Sequence, residues 1–220
     1  MKYIILSLGI LLLYACNEPP KPEVILQPPH TRTMDIQLKD TCLGLLTMAI
    51  PERYDTSFSW TDFSDCYSCG FEKYRLQPAT LPIDKESGFI YFHQQADSVD
   101  NITIAYSPIT KFDHPSRPDS ATIVRHHKEF IRNLRQSCKE EGLEMPVDTM
   151  LLVNHRLISV VIYMPEERKG VRCDKIEAYV NMAGYGASIT YNLKSKPSDT
   201  LHEHFVDRTM CLIKTICTKD

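Results

Sequence analysis

The residues most able to do chemistry are Cys66-Tyr67-Ser68-Cys69. Two thiols separated by two residues mark thiol oxidoreductases and metal knuckles alike. The redox version works by setting its first Cys at a helix N-terminus, where backbone donors lower the thiol pKa. Here Gly70 follows, then Phe71 to Leu76 and Pro78, which reads as turn or strand. No second Cys-x-x-Cys and no well-spaced His pair completes a zinc site. The motif therefore predicts a structural role, as a local disulfide, two separate bridges or buried thiols. Redox catalysis through Cys66 and Cys69 stands as the rival.

Other catalytic patterns are partial. His126-His127 are adjacent on an expected helix, about 100° apart around it, and cannot share one metal. His127 falls on the apolar side and reads as a hydrogen-bonded core residue. His202 and His204 have the wrong spacing too, so no metal ligand set is assigned. Gly184-Tyr185-Gly186-Ala187-Ser188 lies between two strands, whereas a nucleophile elbow needs Gly-x-Ser-x-Gly between strand and helix. Its glycines read as turn or bulge formers. Neither a phosphate-binding loop nor a dinucleotide fingerprint is present. No catalytic residue and no cofactor is assigned.

Charge points to a surface instead. The chain has 25 Lys+Arg against 28 Asp+Glu, a net charge of −3, which gives no reason to expect nucleic acid as a partner. Within that balance, Arg125, Lys128, Arg132, Arg135 and Lys139 gather on one flank of an expected helix, with Glu129 and Glu140 on the other. Such a stripe suits an acidic protein partner or anionic headgroups. A solvated helix face with ordinary ion pairs is the plainer reading.

The first sixteen residues set the expected address. Met1-Lys2 is followed by an apolar run of about eleven residues, Tyr3 to Leu13. That is short of the roughly twenty a membrane-spanning helix needs, but it suits a signal-peptide core. Leu13-Tyr14-Ala15-Cys16 resembles the lipobox of bacterial lipoproteins, with Tyr14 larger than the residues common there. The resemblance implies that the Cys16 sulfur takes a diacylglycerol, that cleavage removes residues 1–15, and that the new amine is acylated. Each buried methylene contributes about 0.8 kcal/mol, so two or more chains make release negligible. The expected location is the bacterial cell envelope, with the protein anchored most simply in the outer membrane facing the periplasm. Loss of Lys2 then moves the net charge from −3 to −4.

Residues 16–33 hold five of the fourteen prolines and read as a tether in extended polyproline II, up to about 50 Å long. Seven cysteines remain beyond Cys16, namely Cys42, Cys66, Cys69, Cys138, Cys173, Cys211 and Cys217. In an oxidising compartment they form at most three bridges. Cys211 and Cys217, expected on one helix, point apart and are not expected to pair with each other. Asp97-Ser98, Asp119-Ser120, Asp148-Thr149 and Asp199-Thr200 resemble a short O-glycosylation signal of bacterial envelope proteins. The same pairs also serve as helix caps and turns.

Residues 34–220 read as one domain. Strands are expected over 34–39, 43–50, 88–93 and 101–106, with an aromatic-rich irregular stretch over 57–75. The clearest helix spans 120–141, with Asp119 or Ser120 as its cap and Gly142 at its end. Strands over 149–153, 156–164, 175–182 and 186–193 follow, turning at Asn154-His155 and Ala183-Gly184-Tyr185. A closing helix is expected over 200–216, opened by a Thr200–Glu203 capping box. This order predicts an α+β fold, an antiparallel sheet flanked by helices. It resembles the fold of the extrinsic photosystem II protein PsbP, whose members include scaffolds, binding proteins and chaperones. The reading that follows is a lipid-anchored, non-catalytic module that binds another macromolecule, expected to be a protein, with a periplasmic immunity or inhibitor protein among the options. An envelope enzyme, either thiol-based through Cys66 and Cys69 or a hydrolase with scattered residues, and a structural subunit of an outer-membrane assembly are the alternatives.

Overall fold

The computed structural model describes residues 30–62, 70–83, 98–110 and 113–219. The lipobox with Cys16, the proline-rich tether up to residue 29, Cys66-Cys69 and the strand expected over 88–93 lie outside the described residues.

Apolar residues alternating with polar ones build most of the strands. In chain order these are β1 (Thr31–Gln37), β2 (Leu45–Pro51), β3 (Thr56–Asp62), β4 (Phe71–Gln77) and β5 (Val99–Tyr106). The helix α1 (Ser120–Glu141) separates them from β6 (Val147–Val153), β7 (Arg156–Ile162), β8 (Glu166–Arg168), β9 (Val171–Met182) and β10 (Tyr185–Ser195). The chain closes with α2 (Phe205–Ile213) and β11 (Cys217–Lys219). In β9 and β10 nearly every second residue is buried, the mark of a sheet with one face on a core.

Two antiparallel sheets result. One has the order β1-β2-β11. The other has eight strands in the order β3-β4-β5-β10-β9-β7-β6, with β8 paired to β9 off this path. The core is the apolar filling between the two sheets. Ile36, Leu46, Met48 and Ile50 of the small sheet join Leu76, Ile102, Ile104, Val160, Ile176, Ala178 and Ile189 of the large one. Leu212 and Ile213 of α2, with Ile216 just beyond it, belong to the same cluster. Burying each such side chain is worth about 1.5–3 kcal/mol, so the sheet-on-sheet layer dominates stability.

This corrects the fold class. Strand makes up 47% and helix 22% of the described residues, a β-rich fold and not an α+β sheet flanked by helices. Two misread segments account for the difference. The stretch over 57–75, expected to be irregular, supplies β3 and β4, paired from Thr56↔Gln77 to Asp62↔Phe71. The C-terminus, expected to remain helical to 216, ends α2 at Ile213 and adds β11 to the edge of β2 through Cys217↔Thr47 and Thr218↔Leu46.

The closing helix also starts later than expected. The Asp199 carboxylate, not the Thr200 hydroxyl, accepts from the Leu201 N–H at 2.9 Å and opens a single 3-10 turn, Thr200–His202. The chain then passes through His204 at φ 55° before α2 begins at Phe205. The reason is a polar one: His202 is drawn inward onto the large sheet, which breaks the helical path.

The long helix is placed as its sequence predicts. The Asp119 carboxylate accepts from the Thr122 N–H at 2.8 Å, and Gly142 closes the helix at φ 67°. That capping bond, and secondarily Arg125, holds the Asp119 carboxyl below its usual range. α1 lies on the face of the large sheet opposite the core. Ser159 and Tyr179, in register across β7 and β9, face α1, while their neighbours Val160 and Ala178 face the core.

Candidate functional site

Three buried residues, His127, Ile131 and Cys138, fasten α1 to the sheet and leave its other flank in solvent. His127 is a hydrogen-bonded, buried residue, as its position on the apolar side predicts. Its Nδ1 pairs with the Ser159 hydroxyl and its Nε2 lies 3.0 Å from the Asp148 carboxylate. The Arg135 guanidinium donates to the other Asp148 oxygen. One chain of contacts, Ser159–His127–Asp148–Arg135, thus ties α1 to both β7 and β6. A second tie is aromatic: Phe130 meets the edge of Tyr179 with ring centroids 5.1 Å apart.

Tyr179 is held in turn by Glu177. The Tyr179 and Tyr163 hydroxyls donate to one Glu177 oxygen at 2.7 and 2.8 Å, and the Lys175 ammonium lies 2.7 Å from the other. Burial alone would raise the Glu177 pKa, but the Lys175 charge and these donors outweigh it, so the carboxyl lies below its ordinary 4.5. Burial, and after it the Glu177 charge, raises both tyrosines. A pKa lower in the folded chain than in the unfolded one stabilises the fold above the unfolded value, and that contribution fades as pH falls through the folded value. Between about pH 5 and 3 the urea midpoint of the wild type should therefore fall more steeply than that of Glu177→Gln. Parallel pH profiles for the two proteins would contradict this.

The solvent flank of α1 carries all five predicted cations. Arg125, Lys128, Arg132, Arg135 and Lys139 are exposed, and among the described residues Arg135 alone of the five has an ion pair, to Asp148. Among the described residues Lys128, Arg132 and Lys139 have no carboxylate partner. On the opposite flank Glu140 is engaged by the Gln136 amide at 2.6 Å. Two shallow grooves run along the stripe. One of about 400 Å³ is lined by Lys128, Arg132, Arg135, Lys139 and Met145. The other, about 670 Å³, is lined by Arg125, Lys128, Arg132 and Val124, with the acidic Glu129 on its wall, so the structure sets Glu129 beside the stripe. Each groove holds one carboxylate, Asp148 or Glu129, against several cations, so a net positive charge is held in concave surface and is able to receive an anion.

A different arrangement escaped the sequence reading. The Ser195 hydroxyl lies 2.9 Å from His202 Nε2, and His202 Nδ1 pairs with the Asp174 carboxylate. This is the atom order of a hydrolytic Ser-His-Asp triad. Ser195 is only 8% exposed and His202 5%. The Arg172 guanidinium also donates to both Asp174 oxygens, at 3.1 Å to Oδ1 and 3.2 Å to Oδ2. The geometry is that of a buried polar clamp, joining the ends of β9 and β10 to the turn before α2. The strand register made it: Leu193 pairs with Asp174, so Ser195 falls one same-face step beyond. Nothing in the local sequence around 174, 195 or 202 signals that meeting.

Nearby, Asp100 accepts from the Arg53 guanidinium at 2.7 Å and the Tyr54 hydroxyl at 2.5 Å. Burial, and then the Asp100 charge, pushes the Tyr54 pKa well up. The Gly184 reading holds in this setting. Gly184 turns the β9–β10 hairpin at φ 97°, and a Cβ there would lie 2.7 Å from the Pro115 Cβ. The glycine serves the turn and the close passage of the 113–118 loop.

Cys42, Cys138, Cys173, Cys211 and Cys217 are unbridged. Cys211 lies on α2 and Cys217 on β11, not together on one helix. Burial raises the Cys173 thiol, which lowers its reactivity. Among the described residues no three His, Cys, Asp or Glu side chains gather as a metal-binding group, and no helix is long and apolar enough to cross a membrane. Compared with protein-family models, with curated proteins and with solved structures, the chain matches none.

Proposed function

We propose that this chain is a lipid-anchored protein of the bacterial envelope whose folded body binds an acidic protein partner without catalysis. The observation that carries the reading is the set of exposed cations Lys128, Arg132 and Lys139, without a carboxylate partner among the described residues, on a helix whose opposite side is clamped to the sheet. A rigid row of unneutralised charge on a chain of net charge −3 is a local feature, not a by-product of composition. Leu13-Tyr14-Ala15-Cys16 supplies the anchor, and residues 16–33 supply the reach. An acidic partner, such as a toxin met by an immunity protein or a neighbour in an outer-membrane assembly, fits this surface.

A photoreactive residue placed at Arg132 in the membrane-anchored protein tests the reading. Irradiation should give a discrete protein adduct that disappears at high salt. Adducts to lipid alone, or none at all, contradict it.

A hydrolase is the second reading, favoured by the Ser195–His202–Asp174 atom order. It requires labelling of Ser195 by a fluorophosphonate. Failure to label under conditions that label a known serine hydrolase removes it.

A further inference from the structure

Among the described residues the β6 edge of the large sheet is left open. β6 is the last strand in its order and pairs only with β7, so among the described residues its outer row of backbone N–H and C=O groups has no strand partner. Edge strands are usually protected by Lys, Pro, bulges or a covering element, because an open edge recruits another strand. β6 reads Val-Asp-Thr-Met-Leu-Leu-Val and carries no Lys, Pro or Gly. Its one charge, Asp148, is turned inward to His127 and Arg135. The apolar residues at its two ends are open to solvent: Leu152 is 72% exposed and Val147 53%, and just upstream Leu143 and Met145 are each 45%.

The basic flank of α1 stands beside this edge. Asp148, Met150 and Leu152 lie on the face of β6 that carries α1, since Asp148 meets His127 and Met150 pairs with Ser159. The groove lined by Lys128, Arg132, Arg135 and Lys139 also includes Met145 and Asp148, so it runs between the helix and the start of β6. A strand added to β6 projects every second side chain toward that groove.

We propose that the β6 edge binds an extended acidic segment of the partner protein by strand addition, with main-chain hydrogen bonds to β6 and alternate carboxylates meeting Arg132, Arg135 and Lys139. The proposal rests on the anionic-partner reading above and specifies how that partner is held. Charge selects this occupant over a second copy. Two β6 strands paired antiparallel about a two-fold axis would keep both α1 helices on one face of the joined sheet and set two basic stripes side by side. An acidic strand neutralises the stripe, whereas a second copy doubles it.

The test uses the full-length protein in detergent and two synthetic peptides: an alternating Glu-Val peptide, and the same peptide N-methylated at every residue. The two carry equal charge, but only the first can form a ladder. The first should bind at low salt and slow amide exchange across 147–153, and the second should bind at least tenfold more weakly. Equal affinity without protection in β6 overturns strand addition and leaves the anionic-partner reading standing. Failure of both peptides to bind overturns both. A doubled mass with β6 amides protected in the absence of peptide assigns the edge to self-association and overturns the proposal.

Discussion

The triple variant Lys128→Glu/Arg132→Glu/Lys139→Glu should fold normally and lose most of its affinity for anions. At roughly 0.5 kcal/mol for each unit of charge altered at an exposed rim, reversing three cations amounts to about 3 kcal/mol, or about a hundredfold in affinity at low salt. The measurement is binding of poly-glutamate to the full-length protein in detergent, across a salt series. Screening should shrink the difference between wild type and variant as the Debye length falls from about 10 Å toward 3 Å. Thermal stability should barely change, because these side chains are exposed and have no ion pair among the described residues to lose. Arg135 belongs in a different class. Its guanidinium holds Asp148, so Arg135→Glu would strike the tie between α1 and β6 as well as the stripe. Equal binding by the triple variant and the wild type would show that the stripe is ordinary solvated surface.

The second large effect concerns stability. Asp174→Ala should cost about 3 kcal/mol, read as a lower urea midpoint at unchanged slope. Removing the carboxylate strands His202 Nδ1 in a site where the ring is 5% exposed. Arg172, with a side chain 29% exposed, can turn to water, which places the loss at the lower end of what breaking a buried pair costs. Ser195→Ala should cost less, about 1 kcal/mol, because it leaves one ring nitrogen without its partner. This ordering separates a clamp from a catalytic triad, in which the serine is expendable for folding. A loss below about 1 kcal/mol for Asp174→Ala would contradict the clamp.

The elements that could be read from sequence are those whose signals are local. α1 has a capping Asp119, a three- and four-residue apolar spacing and a terminal Gly142, all within one stretch. The Asn154-His155 turn is similarly local: the two residues take φ 47° and 64°, as a two-residue hairpin requires. The stripe is legible for the same reason, because helical periodicity alone gathers its five cations.

What stayed hidden is nonlocal. β4 buries Glu72, Arg75 and Gln77, three polar side chains that give it no apolar rhythm. Their burial is made tolerable by partners far along the chain: Lys39 reaches Glu72, and Arg75 donates to Thr103 at 2.9 Å. β11 is three residues long, too short for any periodicity, and exists because the edge of β2 is available to it. Together these two segments shift the balance from helices flanking a sheet to one sheet packed on another. The Ser195–His202–Asp174 meeting is hidden in the same way, since it depends on the β9–β10 register and on a turn that breaks an expected helix.

The proposed place of the folded body at a membrane rests on lipid carried by one sulfur, that of Cys16. The direct test is metabolic labelling with radioactive palmitate of the wild type and of Cys16→Ser, each followed by its migration on a gel. The wild type should take up label and migrate as the form lacking residues 1–15. The variant should remain unlabelled and keep its full length. A variant that matures and incorporates palmitate as the wild type does would contradict the account.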